Sequence, residues 1–402
     1  MTNRLNKTLV LAGSGHAHTL LLHSLIKNPL SGAQIAMVSP DRYVPYSGML
    51  PGLIARQYLP EALHIDLQEL CRLAGCDFIH GRAIRLDADS AVLSTDVRRG
   101  YRYDWLSINT GSLPQSPPCF GQVGSDITVI GVKPIHLFLS WLEKLEIRLP
   151  SLSSFALGVL GLGLAGAEVA LALERRLCRR FPNVSIHLVG AGTLLSGQPI
   201  AAQQAVREQL RLRKIKLYEN FRASLVSGGL RNDQGKTVFL KAVVLCTSAR
   251  PDGWLQDSGL QQDQRGFVLV DRTLHSISHP SVCAAGDMAT ISSQAHSKSG
   301  VYAVRHAAIL ETNLRRFLKG KPPIDYKPQR HFLTLLNMAD GRAVGMRGNA
   351  SVEGRWVWFW KNWLDQRFMK KFPRGYCKGH EPRLSVLPAR KVRQKNPAER
   401  II

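Results

Sequence analysis

The stretch Phe155-Ala156-Leu157-Gly158-Val159-Leu160-Gly161-Leu162-Gly163-Leu164-Ala165-Gly166-Ala167-Glu168 decides the fold. Phe155–Leu160 is an apolar run of strand length, and Ala167–Leu177 carries a helical pattern. Between them the glycines keep the spacing G-x-G-x-x-G. Such a turn binds a dinucleotide pyrophosphate, because the first N–H groups of a helix are unpaired and its dipole favours negative charge. The first glycine makes the turn, the second lets the phosphate approach, and the third lets helix and strand pack closely. Ser185–Val189 reads as the next strand.

The unit occurs twice. Thr8–Ala12 is an apolar run that leads into Gly13-Ser14-Gly15-His16-Ala17-His18, then a helical pattern over Thr19–Ile26 and a strand over Gln34–Ser39. His18 stands where a third Gly or Ala is usual, so helix and sheet are expected slightly further apart here. A single glycine turn is weak evidence. Two of them, each between a strand and a helix, predict two different dinucleotides, a flavin and a nicotinamide cofactor, paired for hydride relay. Outward from these units, Asp66–Ala74 reads as a helix, and Asp77–His80, Ala91–Ser94 and Trp105–Asn109 as strands. The small-residue segment Ser281–Ala285 ends in Gly286-Asp287 and precedes a helix over Gly300–Phe317. Pro322, Pro323 and Pro328 then mark a linker.

Composition sets the frame. The chain has 402 residues, 45% of them hydrophobic, which excludes a disordered, collagenous or coiled-coil protein. It contains no apolar run long enough to predict a transmembrane helix. Lys and Arg number 53 against 29 Asp and Glu, a net charge of +24, which predicts an anionic partner. Thirteen Lys or Arg against three Asp or Glu fall in residues 355–402. Beside them runs Arg355-Trp356-Val357-Trp358-Phe359-Trp360-Lys361-Asn362-Trp363, with four of the seven Trp. As a helix it places Trp356, Trp360 and Trp363 on one face, with Lys361, Arg367, Lys370 and Lys371 as charge. That combination suits an anionic membrane surface through residues 355–372. The alternative is a helix packed on the flavin domain or on a second copy, which leaves a homodimer open. No nucleic-acid motif accompanies the basic charge, so nucleic acid is not the expected partner, although a basic nucleic-acid-binding protein is the reading from another class. Seven Cys without a disulfide framework point to a reducing, cytoplasmic compartment, with peripheral attachment to the inner face of the cell membrane in view. His16, His18 and His23 lack metal-ligand spacing, and no metal is expected.

Five features in fixed order resemble the pyridine nucleotide-disulfide oxidoreductase superfamily: Gly13–His18; Tyr103–Ser112; Gly161–Glu168; Val243–Pro251; and Gly266–Asp271 running on to Ala285-Gly286-Asp287. The chain looks most like the type II NADH dehydrogenase-like branch, whose members pass electrons to quinones. Val44–Gly52 and the Trp-rich end are similar to the flavoprotein domains fused to selenide-water dikinases. The resemblance implies an α/β fold of two Rossmann-like domains. An FAD domain (residues 1–120 and 263–325) is interrupted by an NAD(P)H domain (121–262). A basic, Trp-rich α+β extension (326–402) follows.

The resemblance also assigns roles. Gly13, Gly15, His16 and Ala17 hold the FAD pyrophosphate, Thr110 and Gly111 touch FAD at the domain crossing, and Gly286 and Asp287 meet its ribityl or phosphate region. The usual ribose acid is absent at Ser39, and Asp41 is the substitute. Gly161, Gly163 and Gly166 hold NAD(P)H, with Glu168 near the nicotinamide. Gly190 replaces the usual ribose acid of this second unit, so preference between NADH and NADPH stays open, with Arg175, Arg176 and Arg179 as candidate phosphate ligands. Tyr46 is the aromatic expected at the flavin or the acceptor, and Lys298 is a candidate contact to an acceptor carbonyl. Relatives that reduce disulfides carry C-x4-C where this chain has Tyr43–Ile54, which holds no Cys. Cys71 and Cys76 come later and read as structural thiols. The expected activity is therefore FAD-dependent NAD(P)H oxidation with electrons passed to a small, quinone-like acceptor. The alternative is a soluble flavoprotein reductase of a protein or of a selenium or sulfur compound.

Overall fold

The computed structural model describes residues 7–98, 100–116, 127–293, 298–329 and 331–376. The central strand of the first sheet is Lys7–Ala12, whose residues from Leu9 to Ala12 are all buried. It pairs in parallel with Ala33–Ser39 on one side and Trp105–Ile108 on the other. Asp77–His80 and Val282–Ala284 complete five strands, again in parallel. Strands buried on both faces read as continuous apolar runs, which is why Leu9-Val10-Leu11-Ala12 shows no alternation. The helices His16–Lys27 and Gly300–Leu318 pack against each other over this sheet.

The second sheet repeats the plan. Its order is Thr128–Gly131, Ala242–Leu245, Phe155–Leu160, Val184–Val189 and Lys216–Tyr218, all parallel. The antiparallel meander Ser224–Val226, Gly229–Arg231 and Thr237–Phe239 lies beside it, sharing the core around Val189, Val243 and Leu245. The two halves are joined where Leu113–Pro114 pairs antiparallel with Ala249–Arg250. Both glycine turns lie at the carboxyl ends of central strands, the place where open parallel sheets bind ligands.

The helix of the second unit, Leu164–Leu173, carries Glu168 as its one charged residue. So apolar a helix must be covered all round. The short helix Leu50–Ile54 lies against it, and the same core takes in Leu336, Met338, Val344 and Met346. Those last residues belong to the C-terminal unit, an antiparallel sheet of Thr334–Asn337, Ala343–Arg347 and Ala350–Gly354 followed by the helix Arg355–Met369. The chain then returns to the flavin half. Asp66 donates its N–H to the Pro373 carbonyl at 2.9 Å, and Arg374 forms a bridge with Ile65. The architecture is thus α/β, with two Rossmann-like sheets and an α+β extension clasped between them.

Candidate functional site: a flavin cleft closed by the C-terminal helix

A cleft opens over the carboxyl ends of the first sheet. It is lined by the turn Gly13–His16, by Asp41, Tyr46, Thr110, Gly111 and Ser112, by Lys133, and by Asp287, Gly300 and Ala303. Asn109 builds its floor. The Asn109 amide oxygen accepts the N–H groups of Ala17 (3.1 Å) and His18 (3.4 Å), and its amide nitrogen donates to the Ala285 carbonyl at 2.9 Å. A Cβ on Gly15 would sit 2.3 Å from that oxygen, so Gly15 is required by Asn109. His18 is fully buried, one ring nitrogen 2.6 Å from the Gly13 carbonyl and the other 2.8 Å from the Ser107 hydroxyl. The larger residue at the third glycine position is thus a polar brace between turn and sheet, not just a spacer. Burial lowers the pKa of His18 to about 4, and burial together with nearby Lys133 does the same for His16. Both rings are neutral at pH 7.

At the far end of the cleft the Asp287 carboxylate accepts from the Ser112 hydroxyl at 2.7 Å and from the Lys133 ammonium at 3.3 Å. Burial opposes ionisation there, but Lys133 and Ser112 outweigh it and hold the carboxyl below its usual range. Ser299 caps the helix Gly300–Leu318, so that helix presents its positive end to the same place. Asp41 lies at the opposite end, its backbone carbonyl held by the Ser39 hydroxyl at 3.0 Å and its carboxylate 3.7 Å from His136. The arrangement suits the FAD framework: the glycine turn Gly13–His16 at a helix N-terminus in the middle and acids at both ends. In the second unit Gly163 faces open space, whereas a Cβ on Gly166 would lie 1.8 Å from the Gly161 carbonyl. The phosphate-approach and helix-packing roles are therefore separated as the motif requires.

A second constellation lies behind Tyr46. The Tyr46 ring stacks on Phe368 with centroids 4.5 Å apart and meets His16 edge-on at 5.3 Å. Burial raises its hydroxyl pKa, as does the Asp365 carboxylate to which it is hydrogen-bonded. Asp365 and Lys361 are both buried, 2.7 Å apart, and Lys361 also donates to the Gly48 carbonyl at 2.9 Å. Glu168 belongs to the same group. Its carboxylate accepts the Asn337 N–H at 2.7 Å, and burial raises its pKa to about 7 against the pull of Lys361. Asn337 is held in turn by Gln57 at 2.7 Å, and the Tyr58 hydroxyl donates to Asn362 at 3.0 Å. Flavin half, nucleotide half and C-terminal unit each contribute side chains to this cluster.

The pyridine nucleotide-disulphide oxidoreductase family model matches residues 7–309. The chain belongs to this family. The family supports FAD and NAD(P)H as the cofactors. An NADH dehydrogenase-like protein of Mycobacterium tuberculosis is 26% identical over 242 residues, 57% of this chain and 59% of the relative. Apoptosis-inducing factor 3 of Homo sapiens is 25% identical over 309 residues, 70% of this chain and 45% of that one. The chain therefore spans only about half the length of the curated relatives it matches. Among solved structures, the sulfide:quinone oxidoreductase of Aquifex aeolicus superposes with a TM-score of 0.76 at 17% identity, covering 91% of both chains. The water-forming NADH oxidase of Lactobacillus brevis gives 0.67 at 17% identity, covering 84% of this chain and 74% of that one.

Several expected residues meet in the cleft: Gly13, Gly15, His16, Asp41, Tyr46, Thr110, Gly111 and Asp287. Ala17 lies just beneath it and spends its N–H on Asn109, and Gly286 donates its N–H to His306. Lys298 is not among the residues that line the cleft, although its charge acts on Asp287. Its ammonium donates to the Ala289 carbonyl and, at 2.8 Å, to the Thr290 hydroxyl, and lies 4.0 Å above the Phe267 ring. Burial lowers its pKa to about 8. These bonds give it a bracing task that the acceptor expectation did not foresee. Lys361, expected among the charges facing lipid, is on the inner face of its helix instead. Arg175, Arg176 and Arg179 lie at the far end of the helix from Gly163, and Arg176 is held by Glu146 at 2.8 Å. Cys71 and Cys76 are free, buried thiols outside the cleft. Asn109, Lys133, Lys361 and Asp365 were not anticipated at the site. One signal for the last pair was available: Val357, Lys361, Asp365 and Met369 recur every four residues and form the buried face of the Trp-rich helix.

Proposed function

We propose that the protein is an FAD-dependent NAD(P)H dehydrogenase that passes electrons to a quinone-like acceptor at an anionic membrane surface. The observation that carries this reading is the two-faced helix Arg355–Met369. Trp356, Phe359, Trp360 and Trp363 are exposed on its outer face, while on its inner face Asp365 reaches Tyr46 in the flavin cleft and Lys361 reaches Gly48. Among the described residues no helix is long and apolar enough to cross a membrane. Contact with lipid would be made from one side, by amphipathic rings at headgroup depth with Arg355, Lys370 and Lys371 alongside. Leu59, also exposed, follows the Tyr58 that bonds this helix and extends the same surface.

Bound FAD supplies the two-electron relay between nicotinamide and acceptor. The residues of this chain align the partners and manage protons. Hydride-level reduction of a quinone-type acceptor takes up one further proton, and the Glu168 carboxyl, whose pKa burial raises to about 7, is suited to hold it. Tyr46 orients whatever stacks against the flavin, and Gly163 admits the nicotinamide nucleotide. The similarity to a sulfide:quinone oxidoreductase and to NADH dehydrogenase-like proteins supports the acceptor class. The domain division proposed is 1–120 with 263–325 for FAD and 121–262 for NAD(P)H. It is supported by the return of Val282–Ala284 to the first sheet.

The test is a visible spectrum of the purified protein followed by anaerobic additions. NAD(P)H should bleach the flavin bands, and a short-chain quinone should restore them, faster in the presence of anionic liposomes. Bands restored by a disulfide or a selenium compound but not by quinone would favour the soluble-reductase alternative. A colourless protein would remove both readings.

A further inference from the structure

Gly190 ends the strand Val184–Val189, where a carboxylate usually receives the nucleotide ribose and rejects a 2′-phosphate. In this structure the position is closed to any side chain. A Cβ on Gly190 would lie 2.7 Å from Leu162 Cγ, 3.2 Å from its Cδ1 and 3.3 Å from its backbone nitrogen. Leu162, inside the glycine turn itself, is 6% exposed and locked in place, its carbonyl accepting the Leu195 N–H at 2.8 Å. The glycine and the leucine therefore form one device, in which an apolar side chain fills the volume from which an acid would project.

The neighbouring groups do not replace that acid. Glu219, just past the end of the adjacent strand, accepts from the Leu194 N–H at 2.7 Å and from two Arg207 nitrogens at 2.6 and 2.8 Å, so both its oxygens are engaged and its charge is paired. Gly190 itself is tied by backbone, its N–H to the Tyr218 carbonyl and the Phe221 N–H to its carbonyl. The Arg175–Arg179 group sits at the other end of its helix. No charge of either sign is thereby aimed at the 2′ position by these elements.

We infer that Leu162 and Gly190 together make this a nucleotide site that takes phosphorylated and unphosphorylated nicotinamide dinucleotides alike. The inference rests on the proposed NAD(P)H role of the second glycine turn and names how that site selects. A site with a ribose carboxylate charges a 2′-phosphate for like-charge repulsion and a lost hydrogen bond, and a site with arginines rewards it. This one does neither.

The experiment is calorimetric binding of NAD+ and NADP+ to the flavin-loaded protein, with no turnover involved. Dissociation constants within about fivefold of each other are expected. A preference above about tenfold for either nucleotide overturns the inference and leaves the proposed function standing. Failure of both to bind removes the proposed function, and the inference with it. The double variant Leu162→Ala, Gly190→Asp opens the volume and installs the acid. With flavin content unchanged, it should move the ratio at least tenfold toward NAD+. An unmoved ratio in that folded variant would show that this pair does not set selectivity.

Discussion

The Lys361 ammonium and the Asp365 carboxylate lie 2.7 Å apart on the inner face of the Trp-rich helix, both almost wholly buried. Removing one partner of a buried pair strands the other. Lys361→Met should therefore cost about 3–5 kcal/mol of stability, and simultaneous replacement of both by apolar residues should cost less. Thermal unfolding of the single and double variants checks this. Equal losses in the two would mean that the pair is solvated in solution.

Glu168 gives the site a pH signature. Its carboxyl is raised from 4.5 to about 7, so the folded chain holds a proton there that the unfolded chain has released. Stability should fall as pH rises between those two values, because the folded state binds more protons across the window. Quinone reduction should slow as pH passes about 7, where the proton is lost. Glu168→Gln should flatten both profiles and slow the reaction roughly 10²-fold or more. A variant that keeps the wild-type pH profile would place the titrating group elsewhere.

The proposed lipid-facing surface can be removed without touching the cleft. Trp356→Ser, Phe359→Ser and Trp363→Ser together should weaken binding to anionic liposomes by about tenfold or more, since three exposed aromatic rings are lost. Reduction of a water-soluble acceptor should stay near wild type. Truncation before Arg355 is a poorer probe, because it also deletes Lys361, Asp365 and Phe368. Unchanged liposome affinity in the triple variant would end the membrane proposal.

Asn109 is predicted to govern flavin retention. Asn109→Ala leaves the Ala17 N–H and the Ala285 carbonyl without their partner, while the His18 N–H keeps the Gly15 carbonyl, at about 1–3 kcal/mol for each buried group left unpaired. The purified variant should carry less flavin and melt earlier, with both effects partly corrected by added FAD. A variant with full flavin content would show that the cleft floor is redundant.

Much of the fold could be read from local pattern. The strand Phe155–Leu160 has its expected bounds, and the Lys7–Ala12 and Gly300–Leu318 elements differ from theirs by one residue. Both glycine turns announce themselves because phosphate binding needs short-range backbone geometry. The rest of the site is long-range. Glu168 meets the Asn337 N–H across 169 residues, and Lys361 meets Gly48 across 313. No local periodicity encodes such partners. Lys361 was misplaced because a cationic side chain among tryptophans reads as exposed. Only packing against Tyr46 and Gly48 makes its face the inner one. His18 was seen as a bulky intruder because one of its two ring hydrogen bonds depends on Ser107, a residue of another strand.

The pairing of Ile65 with Arg374 has a consequence for how the molecule is made. Residues 46–65 leave the ribosome early, but the helix and strand that cover them come roughly 300 residues later. At about 5–20 residues per second, that interval is on the order of 15–60 s. Throughout it the nascent chain can form its first glycine turn and yet has no covered site. The flavin half is therefore sealed only once residues 361–374 have followed, and until then the apolar wall around Met49–Ile54 is the surface a nascent-chain chaperone would meet.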